Sequence, residues 1–204
     1  MLTDKPENYL FLPKFENRRM KRTNIHFLVA VLLILAAACS RIALYPHNFS
    51  PIIGMALFGG AVIQDKKAAF LLPLLAMLLS DIMFEISGIA PGFWGWGQLT
   101  GYGILATITL IGFTLKNRHA IHIAGYSIGS SILFYLLSNM AFFLIDNPIY
   151  HTYTQDLAGL KQCYIMALPF LRTGMIADLV FSALLFGSYF LLDQWVAKKE
   201  SMAR

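Results

Sequence analysis

The apolar residues of this chain fall in blocks rather than in an alternating or amphipathic rhythm. Long blocks cover residues 25–40, 68–86, 99–115, 121–145 and 163–192, and a shorter one covers 52–63. Uninterrupted apolar runs of this length are the signature of helices that cross a bilayer. Backbone in hydrocarbon must satisfy its own hydrogen bonds, so membrane spans are helices or closed barrels. These runs do not alternate, so they are helices. Pro73 is expected to kink the third run. The connections at 41–51, 87–98 and 146–162 read as loops. Residues 1–24 are polar, basic and without helical periodicity, and read as a mobile tail. Met20-Lys21-Arg22, directly before the first apolar run, is an alternative start.

The run Ile52–Ile63 is shorter than the roughly 20 residues a span needs. It is either a short or tilted span or a re-entrant hairpin. The basic residues decide between them, because Lys and Arg gather on the cytoplasmic side. If 51–63 spans, the N-terminal tail, the Lys66-Lys67 turn, the Lys116–Arg118 turn and the C-terminal tail are all cytoplasmic. Those segments hold thirteen of the sixteen Lys and Arg residues. If 51–63 is re-entrant, three of the four basic clusters land outside. The expectation is therefore an all-α polytopic membrane protein of the inner (plasma) membrane. It has six transmembrane helices, both termini cytoplasmic, a membrane domain at 25–196 and basic tails at 1–24 and 197–204.

Composition agrees. Of 204 residues, 57% are hydrophobic and 13% charged, with mean hydropathy +0.62; soluble domains carry about a quarter charged residues. The net charge of +5 follows from topology, so no nucleic-acid partner is required. Cys39 and Cys163 have no metal-ligand spacing. Both fall toward the outer face, where a disulfide could form, but two unrelated buried thiols are the expected state. The first run, with its basic flank and Ala36-Ala37-Ala38-Cys39, also resembles a secretory or lipoprotein signal. Leu35 is one place too far from Cys39 for a lipobox, so a retained helix is the reading.

Ionisable groups at membrane depth usually face a cavity or a partner. Here they are Asp81, Glu85, Arg172 and Asp178, with Asn139 as a neutral companion. On the six-span topology, all lie near the middle or in the outer half of the bilayer, close to Arg41, His47 and Asn48. Polar groups from several helices at one depth point to a pocket open to the outside. Trp94 and Trp96 lie in a loop with Gly92, Gly95 and Gly97, and read either as a gate over that pocket or as interfacial anchors. The alternative for the charges is structural: Asp81 and Asp178 could pair with Arg41 and Arg172. Asp81 and Glu85, four apart, share a helix face and could share a proton. Gly125–Ser131 reads as small-residue packing. No phosphate-binding glycine loop, HExxH or GxSxG pattern is present, and no metal or cofactor is expected.

Several motifs carry a resemblance over about residues 25–192. They are Asn48-Phe-Ser-Pro-Ile, Ala56-Leu-Phe-Gly-Gly60, Pro73–Asp81, Ser138-Asn139, Cys163-Tyr164 and Ala167-Leu-Pro-Phe170. Together they look like an uncharacterised family of bacterial transport proteins, which more distantly resembles the substrate-binding S-components of energy-coupling-factor (ECF) vitamin transporters. The resemblance implies six helices, a vitamin-like ligand in an outward pocket and outer loops that close over it. It also implies a membrane coupling subunit and ATPases as partners. S-components carry an Ala-xxx-Ala docking pair on the first helix; here there is only Ala36-xxx-Ser40, with Ala56-xxx-Gly60 on the second.

The expected function is thus a substrate-binding membrane subunit for uptake of a small organic molecule, and not an enzyme. Asp81, Asn139, Arg172 and Asp178 would orient the ligand, and Arg41, His47, Asn48, Trp94 and Trp96 would close over it. The alternatives are a proton-linked secondary transporter using Asp81 and Glu85, a membrane enzyme with a catalytic carboxylate, or an assembly factor without a ligand.

Overall fold

The structure, a computed structural model, describes residues 12–43, 49–93 and 95–202, with side chains from residue 24 onward except residue 200. Every regular element among them is helical: α1 (Leu12–Ala43), α2 (Ile52–Val62), α3 (Lys66–Ser87), α4 (Trp96–Gly112), α5 (Ala120–Ala141), α6 (Asn147–Tyr150) and α7 (Leu157–Met202). A π-helical turn, Phe142–Asp146, joins α5 to α6 without a break. Four stretches are long and apolar enough to cross a membrane: Asn24–Ala43, Lys66–Ser87, Ala120–Tyr150 and Leu157–Lys199.

The core is built around α2. It is apolar on every side, and a helix of that kind is buried rather than laid on a surface. Met55, Ala56, Leu57 and Phe58 are fully enclosed, and α2 packs against α1, α3, α4, α5 and α7. Its 11 residues reach about 16 Å at 1.5 Å per residue, roughly half of a bilayer's hydrocarbon core. Glycines bring the neighbours close. A Cβ on Gly112 would lie 2.7 Å from the Leu57 carbonyl oxygen and 3.0 Å from Gly60 Cα, so α2 and α4 touch backbone to backbone. On the α3 side, a Cβ on Gly59 would lie 2.8 Å from Pro73 Cγ. α3 runs on through Pro73, starting at the Asp65 cap, whose carboxylate accepts from Ala68 N at 2.7 Å, and ending at Gly88 with φ 67°.

The outside of the molecule is apolar and the inside holds polar groups. Leu71, Leu75, Leu79, Ile82 and Ile86 form an exposed stripe along α3, whereas Ser80, Asp81, Gln98, Thr109, Ser131 and Asp178 are buried. An exposed apolar face suits a hydrocarbon solvent. Cys39 is exposed, Cys163 is buried, and both are free thiols.

Two expected loops or tails are helical. The backbone from Leu12 to Asn24 continues into α1. The loop expected at 146–162 shrinks to residues 151–156, because the π-helical turn resets the helical register and α6 restarts with Pro148 in its first turn, where a missing N–H costs nothing. Asn147, fully buried, then clasps the connection. Its side chain donates to Tyr153 O at 3.0 Å and accepts from Tyr153 N at 2.7 Å.

Candidate functional site

A cavity of about 460 Å³ lies between the C-terminal end of α1, residues 49–53, α3, α4, α5 with its π-helical turn, and α7. Most of its wall is apolar, including Phe49, Phe84, Phe134, Phe142, Phe170 and Met175. Its charged groups are Arg41, Asp146 and Asp178. π-helical turns are frequent at functional sites, and here the turn contributes Phe142 and Asp146 to the wall. α5 and α7 are pinned beside it: Tyr135 Oη donates to Tyr164 O at 2.6 Å, and Tyr164 Oη donates to Leu136 O at 2.8 Å.

Behind the wall lies a closed polar cluster centred on Asp81. Its Oδ1 accepts from Arg41 Nη1 at 2.8 Å. Its Oδ2 accepts from Gln98 Nε2 at 2.9 Å and from Tyr102 Oη at 2.8 Å. Arg41 also donates to Ser80 Oγ, and its guanidinium carbon sits 5.2 Å from the Phe84 ring centroid. Gln98 uses its second N–H on Gly92 O at 2.9 Å. Both Asp81 oxygens are therefore occupied, and Asp81 itself does not line the cavity. Its physical effect is to hold Arg41 at the rim and to neutralise it.

A second carboxylate has no such company. Asp178 is 2% exposed and lines the cavity. Its Oδ2 accepts from Ser131 Oγ at 2.6 Å, and among the described residues no cation lies within 4 Å of it. Ser131 in turn reaches Ser127 O at 2.9 Å, and Ser182 donates to Ser127 Oγ at 3.3 Å. The small residues of α5 are thus more than packing. Ser50 Oγ, also in the wall, is buried and has no hydrogen-bond partner among the described residues.

Of the residues expected at the site, Arg41, Asn139 and Asp178 line the cavity. Asn139 donates to Tyr135 O at 2.8 Å and faces the Cys163 thiol. Arg172 is exposed and pairs with neither aspartate; six residues before Asp178 on one helix, it points to another side of α7. Trp96 is 66% exposed and outside the cavity wall. His47, Asn48 and Trp94 lie outside the described residues. Asp81 and Glu85, one turn apart on α3, have different partners: Glu85 accepts from Gly92 N at 3.0 Å. Gly92 is thereby tied to α3 on one side and to Gln98 on the other, so this part of the loop is anchored. Ser80, Gln98, Tyr102 and Ser131 were not anticipated. The signal for Gln98 and Tyr102 is their spacing of four, which puts two hydrogen-bond donors on one face of an apolar helix.

A second cavity, of about 660 Å³, lies at the opposite end of α1, lined by His26, Asp65, Arg118 and Asp193 among others. It contains none of the expected residues. Among the described residues, no group of three or more His, Cys, Asp or Glu side chains is arranged to hold a metal ion.

Residues 21–200 match the model of a protein family of unknown function, DUF6580. No curated protein and no solved structure matches the chain.

Proposed function

We propose that this chain, which belongs to the DUF6580 family, is a membrane-embedded binding subunit for uptake of a small organic molecule. Six helices cross the inner membrane, with α2 as the short crossing and both termini cytoplasmic. The ligand enters the cavity from the outer face and is bound rather than transformed. Delivery to the cytoplasm then falls to a coupling subunit and ATPases, as in the S-components that the chain resembles.

The observation that carries the reading is the cavity itself. Its volume of about 460 Å³ falls in the range of small-molecule sites, which combine apolar walls with a few convergent polar groups. Arg41, Asn139 and Asp178 supply those groups from three different helices. The basic turns and tails support the orientation, and the exposed apolar stripe on α3 supports contact with lipid.

Native mass spectrometry of protein extracted gently from its own membrane tests this. Wild type should carry an adduct of a few hundred daltons, the mass of a ligand that such a site holds. Gly101 and Gly174 line the cavity, and a Cβ on either meets nothing within 4 Å. Gly101→Leu and Gly174→Leu should therefore fill the space, leave the fold intact and abolish the adduct. A bare wild-type mass, or an adduct that both leucine variants keep, would overturn the reading.

A further inference from the structure

We infer that the ligand is an organic cation, an amine whose positive charge sits against Asp178 and whose apolar body lies among the phenylalanines. The inference rests on the cavity being a ligand site and adds the chemical class of the ligand.

The charges of the wall point this way. Arg41 is the cation among the described lining residues, and Asp81 neutralises it from behind at 2.8 Å. Asp146 and Asp178 both contribute negative charge, and neither has a cationic partner among the described residues. Asp178 is the more telling of the two. It is 2% exposed and held by a single serine hydroxyl. A carboxylate in that setting costs free energy unless a counter-charge or a proton joins it. The described residues supply no such group there, but leave a cavity beside the carboxylate.

The neighbouring surface suits the same ligand. Phe134, Tyr135, Phe142 and Phe170 line the cavity from α5, its π-helical turn and α7. Aromatic faces attract organic cations through the ring quadrupole, and do so more strongly when water is excluded. An anion would meet two carboxylates and an arginine already engaged. A neutral ligand would leave Asp178 without a counter-charge.

The test compares three probes that share an aromatic body and differ in the head group: 2-phenylethylamine, 2-phenylethanol and 3-phenylpropionate. Binding to purified wild-type protein is measured at neutral pH by calorimetry. The amine should bind at least about tenfold more tightly than the alcohol, as one charge-assisted hydrogen bond provides, and the propionate should not bind. Asp178→Asn should reduce the amine to the level of the alcohol. Because the contrast between head groups is read on wild type, the test does not depend on that variant folding. Equal binding of amine and alcohol would overturn the cation assignment and leave the cavity as a site for neutral molecules. Preference for the propionate would overturn it in favour of Arg41. No binding by any probe would also overturn it. The small-molecule adduct in native mass spectrometry then reports separately whether the cavity is a ligand site at all.

Discussion

Arg41 and Asp81, forty residues apart, meet at 2.8 Å between α1 and α3, with Arg41 at the cavity wall and Asp81 behind it. Removing one partner of such a pair leaves the other buried and uncompensated, at a cost of about 3 kcal/mol. Asp81→Ala should lower the thermal unfolding midpoint in detergent, and ligand binding should fall with it as Arg41 loses its position. Replacing both residues together, Arg41→Met with Asp81→Leu, should recover much of the stability but not the binding. A double variant no more stable than Asp81→Ala would show that the pair does not act as a unit.

The crossing of α2 and α4 depends on absent side chains. A methyl group on Gly60 or Gly112 would press into the facing backbone. Backbone cannot step aside as a rotamer can, so Gly112→Ala should destabilise by about 1–3 kcal/mol. Gly103 and Gly129 are helical too, but a Cβ there meets nothing within 4 Å. Alanine at either should be neutral or stabilising by about 0.5–1 kcal/mol. Unfolding midpoints of the variants in one detergent check the contrast.

The helices were legible because hydrocarbon demands long apolar runs, and runs of twenty or so residues have few other meanings. The role of α2 was not legible. An apolar run of twelve residues is consistent with a short crossing and with a re-entrant hairpin, and periodicity cannot separate them when every face is apolar. The continuation of α5 past residue 146 was hidden by Asp146, Asn147 and Pro148, which read as a loop. The π-helical turn lets a new helix start with Pro148 in its first turn. For the site, Asp178 is visible as a charge at membrane depth and Arg41 as a charge at the end of the first apolar run. What each does depended on partners that look unremarkable in sequence. Gln98 and Tyr102 complete the shell of Asp81, whereas Asp178 has Ser131 alone.

Asp156 caps the start of α7. Its Oδ1 accepts from Gly159 N at 2.7 Å and from Thr154 Oγ1 at 2.8 Å. The Gly159 amide foremost, and then the Thr154 hydroxyl, hold its pKa below the ordinary 3.8. The sign follows from linkage: a depressed carboxylate pKa contributes stability that is fully present above the unfolded value and is lost as pH falls through the folded one. Asp156→Ala should therefore lower the unfolding midpoint at neutral pH, and the gap to wild type should narrow only below about pH 4. A gap that is constant from pH 7 to pH 3 would mean that the carboxylate charge is not what caps the helix.

The topology turns on whether α2 carries the chain across, and two exposed positions answer it. In a background without thiols (Cys39→Ser with Cys163→Ser), cysteine is introduced at Lys67, in the first turn of α3, or at Gln155, before α7. Intact cells are then treated with a membrane-impermeant maleimide. If α2 with its flanking residues completes a crossing, six spans result: Gln155→Cys is labelled and Lys67→Cys is protected until the cells are lysed. If α2 dips in and returns, every later segment changes sides, so Lys67→Cys is labelled and Gln155→Cys is protected. The two arrangements give opposite patterns at both positions. α2 alone reaches only about 16 Å of a core of about 30 Å. A six-span result therefore requires residues 49–51 and 63–65 to carry the rest of the passage. It would also put the cavity mouth on the outer face, where a nutrient arrives.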